Sequence, residues 1–232
     1  MKKTLKLQII IICLCSTSLL AGPKLEISEQ RFDFGAIPAN SIVYKHFWFK
    51  STGTDTLIIN NIKTGCACAL METVKDTLPP GDSVKVGIEW KIGNKIFSVG
   101  RYPYIFTNAS SDPYRIYLTG EAYKTLDKLQ PVSLVPYKFE LSKYKDDSVD
   151  EMKFTLTNHS DRSVQFKIVT ELPKECEIKL PESIEPGSKG VGTVKVKKEY
   201  LDSEFTTSVT IVSVDNPDTK ITIPIRRKIF SK

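Results

Sequence analysis

The sequence predicts an all-β chain, built as two tandem β-sandwich domains behind an N-terminal signal peptide. Three observations predict it. Apolar and polar residues alternate with a period of two, the pattern that buries one face of a strand. Turn residues interrupt these runs at short intervals, as a sandwich requires because each strand must turn after crossing its sheet. Landmarks of the first half also return in the second: Pro80-Gly81 as Pro186-Gly187 and Phe47 as Phe154, offsets of 106 and 107 residues. A steady offset across several landmarks implies one module used twice.

Residues 1–22 come first. Lys2, Lys3 and Lys6 precede an apolar run from Ile9 to Leu20, then Ala21-Gly22 before Pro23, the three-part plan of a secretory signal. The run is about a dozen residues, short of the ~18–20 that cross a bilayer, so no transmembrane segment is expected in the mature chain. Cys13 and Cys15 follow bulky Ile12 and Leu14, where lipidation calls for small residues. The sequence therefore predicts export to the periplasm or cell surface, with a lipid anchor disfavoured. Loss of the three signal lysines reduces the formal charge from +6 to +3. The remaining lysines are scattered, which argues against nucleic acid or an anionic membrane as partner.

A first domain is expected over 23–122. It contains Phe32-Asp33-Phe34-Gly35, Phe47-Trp48-Phe49, the apolar run Leu57 to Ile62, the turn Pro79-Pro80-Gly81-Asp82 and the alternating strand Val84, Val86, Ile88, Trp90. Phe32 and Phe34 flank Asp33 at strand alternation, so both rings can enter a core while Gly35 supplies a turn. Pro80-Gly81 suits a type II turn, proline fixing one φ and glycine permitting a positive one. Residues 123–135 read as a linker, since Leu126 to Pro131 shows no strand pattern. The second domain, 136–232, has alternating strands at Met152 to Leu156, Val191 to Val196 and Ile221 to Ile225, with turns at Asn158 to Asp161, Glu185 to Ser188 and Asp215 to Asp218. The expected cores are Phe34, Phe47, Phe49, Val86, Ile88 and Trp90 in the first domain, and Phe154, Leu156, Phe166, Val194, Val196 and Ile211 in the second. No mature stretch has a 3.6-residue period, so helix should be scarce.

Five landmarks, Phe32 to Pro38, Phe47 to Gly53, Leu57 to Ile59, Thr64-Gly65-Cys66-Ala67-Cys68 and Pro80-Gly81, occur in order over roughly residues 25–122. In them the chain resembles the secreted bacterial family known as domain of unknown function 1573, whose modules are similar to the immunoglobulin-like ASH and major-sperm-protein domains. The resemblance implies an immunoglobulin-like fold and an exported setting, and no reaction. Ala67 stands where that family usually has the glycine of Cys-Gly-Cys, and the second half lacks both the Phe-Asp-Phe-Gly start and the paired cysteines.

Cys66 and Cys68 are the candidate redox or disulfide pair. Two apart on a strand, they face the same way with Cα atoms about 6.6 Å apart, at the upper edge of disulfide reach. A packed structural pair, a strained redox-active disulfide and a copper(I) site all fit two thiolates on one face. Cys176 lies between Glu175 and Glu177, which raise a thiol's pKa rather than activate it. His46 and His159 have no partner near in sequence for catalysis or zinc. No cofactor, metal or catalytic residue is therefore assigned. The expectation is a non-enzymatic exported protein that binds or scaffolds another envelope component, protein or glycan. The alternative is a thiol-redox or copper-binding protein acting through Cys66 and Cys68.

Overall fold

The computed structural model describes residues 22–65, 69–73, 75–145 and 147–230. Residues 1–21, within the stretch expected to be a signal, and the pair Cys66 and Cys68 lie outside the described residues. In chain order the first half carries β1 (Leu25–Ile27), β2 (Arg31–Pro38), β3 (Ile42–Ser51), β4 (Leu57–Lys63), β5 (Ala69–Thr73), β6 (Thr77–Leu78), β7 (Ser83–Lys91), β8 (Phe97–Arg101), β9 (Tyr104–Thr107), β10 (Tyr114–Arg115) and β11 (Tyr117–Tyr123). The second half carries β12 (Val132–Val135), β13 (Phe139–Glu140), β14 (Lys143–Tyr144), β15 (Asp147–Ser148), β16 (Glu151–Asn158), β17 (Phe166–Ile168), β18 (Cys176–Lys179), β19 (Lys189–Val196), β20 (Phe205–Ser213), β21 (Lys220–Arg227) and β22 (Ile229–Phe230). One three-residue 3₁₀ turn, Lys198–Tyr200, is the only helical element among the described residues. The fold is all-β, built from several packed sheets.

In the first half one sheet runs β1-β3-β7-β5 and the facing one β10-β9-β4-β6. Alternation decides what lies between them. Val43, Phe47 and Phe49 of β3 and Val84, Val86, Ile88 and Trp90 of β7 point inward, meeting Leu57 and Ile59 of β4 and Ile105 of β9 in one buried cluster. In the second half β12-β16-β19-β18 packs over β20 and β21 around Phe139, Phe154, Leu156, Val194, Ile211 and Ile223. All twelve core residues expected from alternation are buried. Phe47 pairs with Val86 across β3 and β7, and Phe154 pairs with Gly192 across β16 and β19. At Gly192 an added Cβ would stand 2.1 Å from the Phe154 ring, so the missing side chain is what lets that ring lie flat on the strand.

Three local expectations are refined. Gly35 makes no chain-reversing turn. It sits inside β2 at φ +63°, where the parallel pairing with β11 skips from Asp33↔Thr119 to Ala36↔Glu121. It is a β-bulge residue, and positive φ is what requires glycine there. Pro79 to Asp82 does form the expected turn, with Gly81 at φ +85° and the Asp82 N–H donating to the Pro79 carbonyl at 3.0 Å. Within 123–135, Val132–Val135 forms β12 against β16, and Leu126, Val132 and Leu134 are fully buried in the second cluster. The apparent lack of pattern in this stretch came from proline and polar residues set between core contacts.

Ser51 and Asn158, 107 residues apart, are both buried at the ends of β3 and β16. The Asn158 amide donates to the carbonyls of Arg162 (2.7 Å) and Ile184 (2.9 Å), and its oxygen accepts from the Ser160 N–H at 2.9 Å. The Ser51 hydroxyl has no hydrogen-bond partner. Because stranding buried partners costs more than removing an unpartnered group, Asn158→Ala should cost about 1–3 kcal/mol. Ser51→Ala should be neutral or stabilising. Urea unfolding of the two variants checks the pair, and equal costs would contradict the hydrogen-bond assignment.

Candidate binding cleft between the two halves

The halves meet along strands. β2 lies parallel to β21, with Ala36 opposite Ile221, so β17-β20-β21 of the second half and β2-β11-β8 of the first form one continuous sheet. Around that joint the Thr222 hydroxyl donates to the Phe34 carbonyl at 2.6 Å, and Lys220 reaches Asp33 at 3.4 Å. A second contact joins β3 and β20. The Tyr44 N–H donates to Ser208 Oγ at 2.7 Å, and that hydroxyl donates to the Tyr44 carbonyl at 3.1 Å.

The two hydrogen bonds to Ser208 fix the direction of the β3 edge. On a strand, alternate residues turn their N–H and C=O to the same side. Tyr44 and Trp48 both point away from β7, the first to Ser208 and the second to Ser28. His46, between them, therefore points the same way. β1 covers β3 only at Phe49–Ser51, and β17 covers β20 only at Ile211–Ser213. Two uncovered strand edges thus approach each other, bridged by one serine.

Beside that bridge is a cleft of about 600 Å³, lined by Tyr44, His46, Lys85, the segment 170–175 and the start of β20. Glu171 closes one wall, 2.6 Å from Lys85 Nζ and 3.4 Å from His46 Nδ1. The Tyr44 and His46 rings meet edge to face at 4.8 Å, and Tyr44 lies over Gly87, where a Cβ would come within 2.0 Å of its hydroxyl. Burial and the neighbouring Lys85 ammonium hold the His46 imidazole below its usual pKa, outweighing the opposite pull of Glu171. Since its folded pKa is lowered, neutral His46 contributes stability in full above the unfolded value of about 6.5, and that contribution is lost as pH falls through the folded pKa. The thermal midpoint should fall on acidification below about pH 6.5. His46→Gln should flatten that part of the profile; an unchanged profile would remove His46 from the account.

The cleft's serine hydroxyl is committed to the Tyr44 main chain, and among the described residues no nucleophile is aligned with the His46–Glu171 pair. Sequence reading gave His46 no partner because Glu171 lies in the other half of the chain. The available signal was the run of large rings at alternate outward positions, Tyr44, His46 and Trp48, on a strand whose Val43, Phe47, Phe49 and Ser51 are buried. His159 is placed elsewhere, its Nε2 at 2.9 Å from Ser133 Oγ. Cys176 is buried, and its thiol is pushed up to about 12 by burial first and Glu175 second. That makes it an unreactive packing residue, with burial rather than the flanking carboxylates as the main cause.

Residues 25–122 match the family model described as protein of unknown function (DUF1573). No curated protein matches the chain. Solved structures that align with it include a protein of unknown function from Porphyromonas gingivalis W83, at 8% identity and TM-score 0.35, over 89% of this chain and 99% of that one. Another is the ASH/PapD-like domain 7 of human CEP192, at 10% identity and TM-score 0.36, over 53% of this chain and 99% of that one. A third is the CupB2 chaperone of Pseudomonas aeruginosa, at 10% identity and TM-score 0.33, over 86% and 99%. At these identities and TM-scores nothing is carried across to this chain. No helix among the described residues is long and apolar enough to cross a membrane.

Proposed function

We propose that the protein is an exported, non-enzymatic binding module that holds an extended segment of another envelope protein in the cleft between its halves. In this reading residues 1–22 direct export, and the domains 23–122 and 136–232 supply the two walls. One observation carries it: the β3 edge at His46 is turned toward the cleft and carries no paired strand. An unpaired edge offers N–H and C=O groups at strand spacing, which an added strand satisfies without any change of fold. Lys85, Glu171 and Lys174 flank that edge with charges of both signs, and Leu172 and Phe205 add apolar surface.

The test uses proline as an edge blocker. At His46 the N–H faces outward, so proline removes the donor without breaking the ladder with β7, as edge strands tolerate. A photoreactive cross-linker at Thr206, on the facing edge, should capture one envelope protein in native membranes, and His46→Pro should abolish that capture while leaving the thermal midpoint within a few degrees. The same cross-linker at exposed Val191 should capture nothing in common. Capture that is indifferent to His46→Pro, or equal from Val191, would sink the reading.

A further inference from the structure

On the opposite face of the first sandwich the sheet β10-β9-β4 turns a row of cations and rings outward. Lys63 sits opposite Tyr104 across β4 and β9, and Tyr104 sits opposite Arg115 across β9 and β10. The neighbouring positions Ile62, Ile105 and Tyr114 face the core, so alternation sends the three to the surface. The row continues past the sheet. The Arg115 guanidinium lies 4.4 Å over the Tyr104 ring and 5.8 Å from the Tyr117 ring, and the guanidinium of Arg31, paired with Tyr117 across β2 and β11, lies 4.1 Å over that same Tyr117 ring. Lys63 Nζ is 5.2 Å from the Phe106 ring, and Tyr102 meets Tyr117 edge to face at 5.8 Å.

Arg31, Lys63 and Arg115 are exposed, and no ion pair to a carboxylate is made by any of them among the described residues. The acidic neighbours of Arg31 are committed elsewhere: Glu29 to Lys45 at 3.1 Å and Asp33 to Lys220 at 3.4 Å. Asp112, in the turn before β10, likewise forms no ion pair with Arg115. Three cations are thus held in place by aromatic rings rather than by counter-charges. Lys63 and Arg115 are two strands apart, about 10 Å at ordinary strand spacing, and Arg31 is a similar step farther on through Tyr117.

We propose that this stripe is a binding site for an acidic polysaccharide, a sugar polymer carrying a carboxylate on its repeat unit. The ring faces of Tyr104 and Tyr117 are already covered by guanidinium groups, which leaves the single exposed ring of Tyr102 rather than a run of platforms for successive nucleic-acid bases. The stripe lacks aliphatic side chains to insert into a bilayer; a cavity of about 390 Å³ opens at its Arg31 end, edged by Glu29, Asp33 and Lys220 rather than by the other cations of the row. The stripe offers a flat row of hydrogen-bond donors, with the Asn61 amide and the Tyr102 and Tyr104 hydroxyls between the cations. A polymer with regularly spaced carboxylates and hydroxyls complements such a row. Arginine held on a ring loses little freedom when it binds a carboxylate. The site is independent of the cleft, which lies where the β3 edge approaches β20 and the segment 170–175, so its failure leaves the cleft reading standing.

The experiment measures binding of the full chain to immobilised polygalacturonate, with methyl-esterified polygalacturonate and dextran as uncharged controls. Polygalacturonate should bind with an affinity that falls as salt rises, and both controls should bind at least tenfold more weakly. The double variant Arg31→Gln/Arg115→Gln should weaken polygalacturonate binding at least tenfold at an unchanged thermal midpoint. Lys153→Gln, in the second half, should leave binding unchanged. Absent binding, equal binding by the double variant, equal binding of the methyl ester, or tighter binding to phosphatidylglycerol vesicles or single-stranded DNA would each overturn the proposal.

Discussion

Arg227→Ala should destabilise the protein by about 3–5 kcal/mol, the cost of removing one partner from a buried charged network. Arg227 is fully buried near the end of β21 and is the hub of the second half's polar contacts. Its guanidinium donates to the carbonyls of Leu201 at 2.5 Å and Leu141 at 3.0 Å and to Ser148 Oγ at 3.0 Å, and it pairs with Asp150 at 2.9 Å. Those groups belong to three separate segments. Alanine would leave the Leu141 and Leu201 carbonyls without a donor and open a void of arginine size. Lysine should recover only part of the loss, since a single ammonium on a flexible stem cannot reproduce a planar fork of five donors. Urea unfolding of Arg227→Ala and Arg227→Lys checks the order wild type, Lys, Ala; a cost below about 1 kcal/mol for alanine, the ceiling of an exposed ion pair, would show that the network contributes little.

Nothing in the sequence marked Arg227 as a hub. Alternation in Ile221, Ile223 and Ile225 predicted the inward face of β21 and so made residue 227 an inward position, yet an arginine beside Arg226 and Lys228 reads as one more surface cation. What decides its burial is the supply of carbonyls from Leu141 and Leu201, and loop geometry of that kind is not written in local pattern. The same division runs through the cleft and the stripe. Period two correctly gave the twelve core residues. It could not give neighbours across strands, because register is set by bulges and turns far along the chain. Cysteine spacing drew attention to Cys66 and Cys68 as the chemical feature of the chain. The cleft instead assembles from ordinary residues, His46, Lys85 and Glu171, that only tertiary contact makes notable.

Gly35→Ala should cost about 2–5 kcal/mol, because two penalties fall on the same atom. A side chain at φ +63° is strained by ~1–2 kcal/mol in a left-handed conformation. An added Cβ would also stand 2.3 Å from Lys220 Cβ and 2.5 Å from the Lys220 carbonyl oxygen, an overlap with backbone that can be relieved only by moving β2 and β21 apart, at ~1–3 kcal/mol. Gly81 provides the control. It has φ +85° and nothing within 4 Å of its would-be Cβ, so Gly81→Ala carries the conformational penalty alone, about 1–2 kcal/mol. The excess of Gly35→Ala over Gly81→Ala reports how closely the two halves are pressed together at the bulge. Separation there would also stretch the hydrogen bond from Thr222 to the Phe34 carbonyl and the Ala36↔Ile221 pairing, so amide exchange at Ala36 and Ile221 should accelerate in Gly35→Ala and stay unchanged in Gly81→Ala. Equal costs for the two variants, with equal exchange at those amides, would mean that the bulge glycine serves only its own backbone and that the contact between the halves does not depend on it.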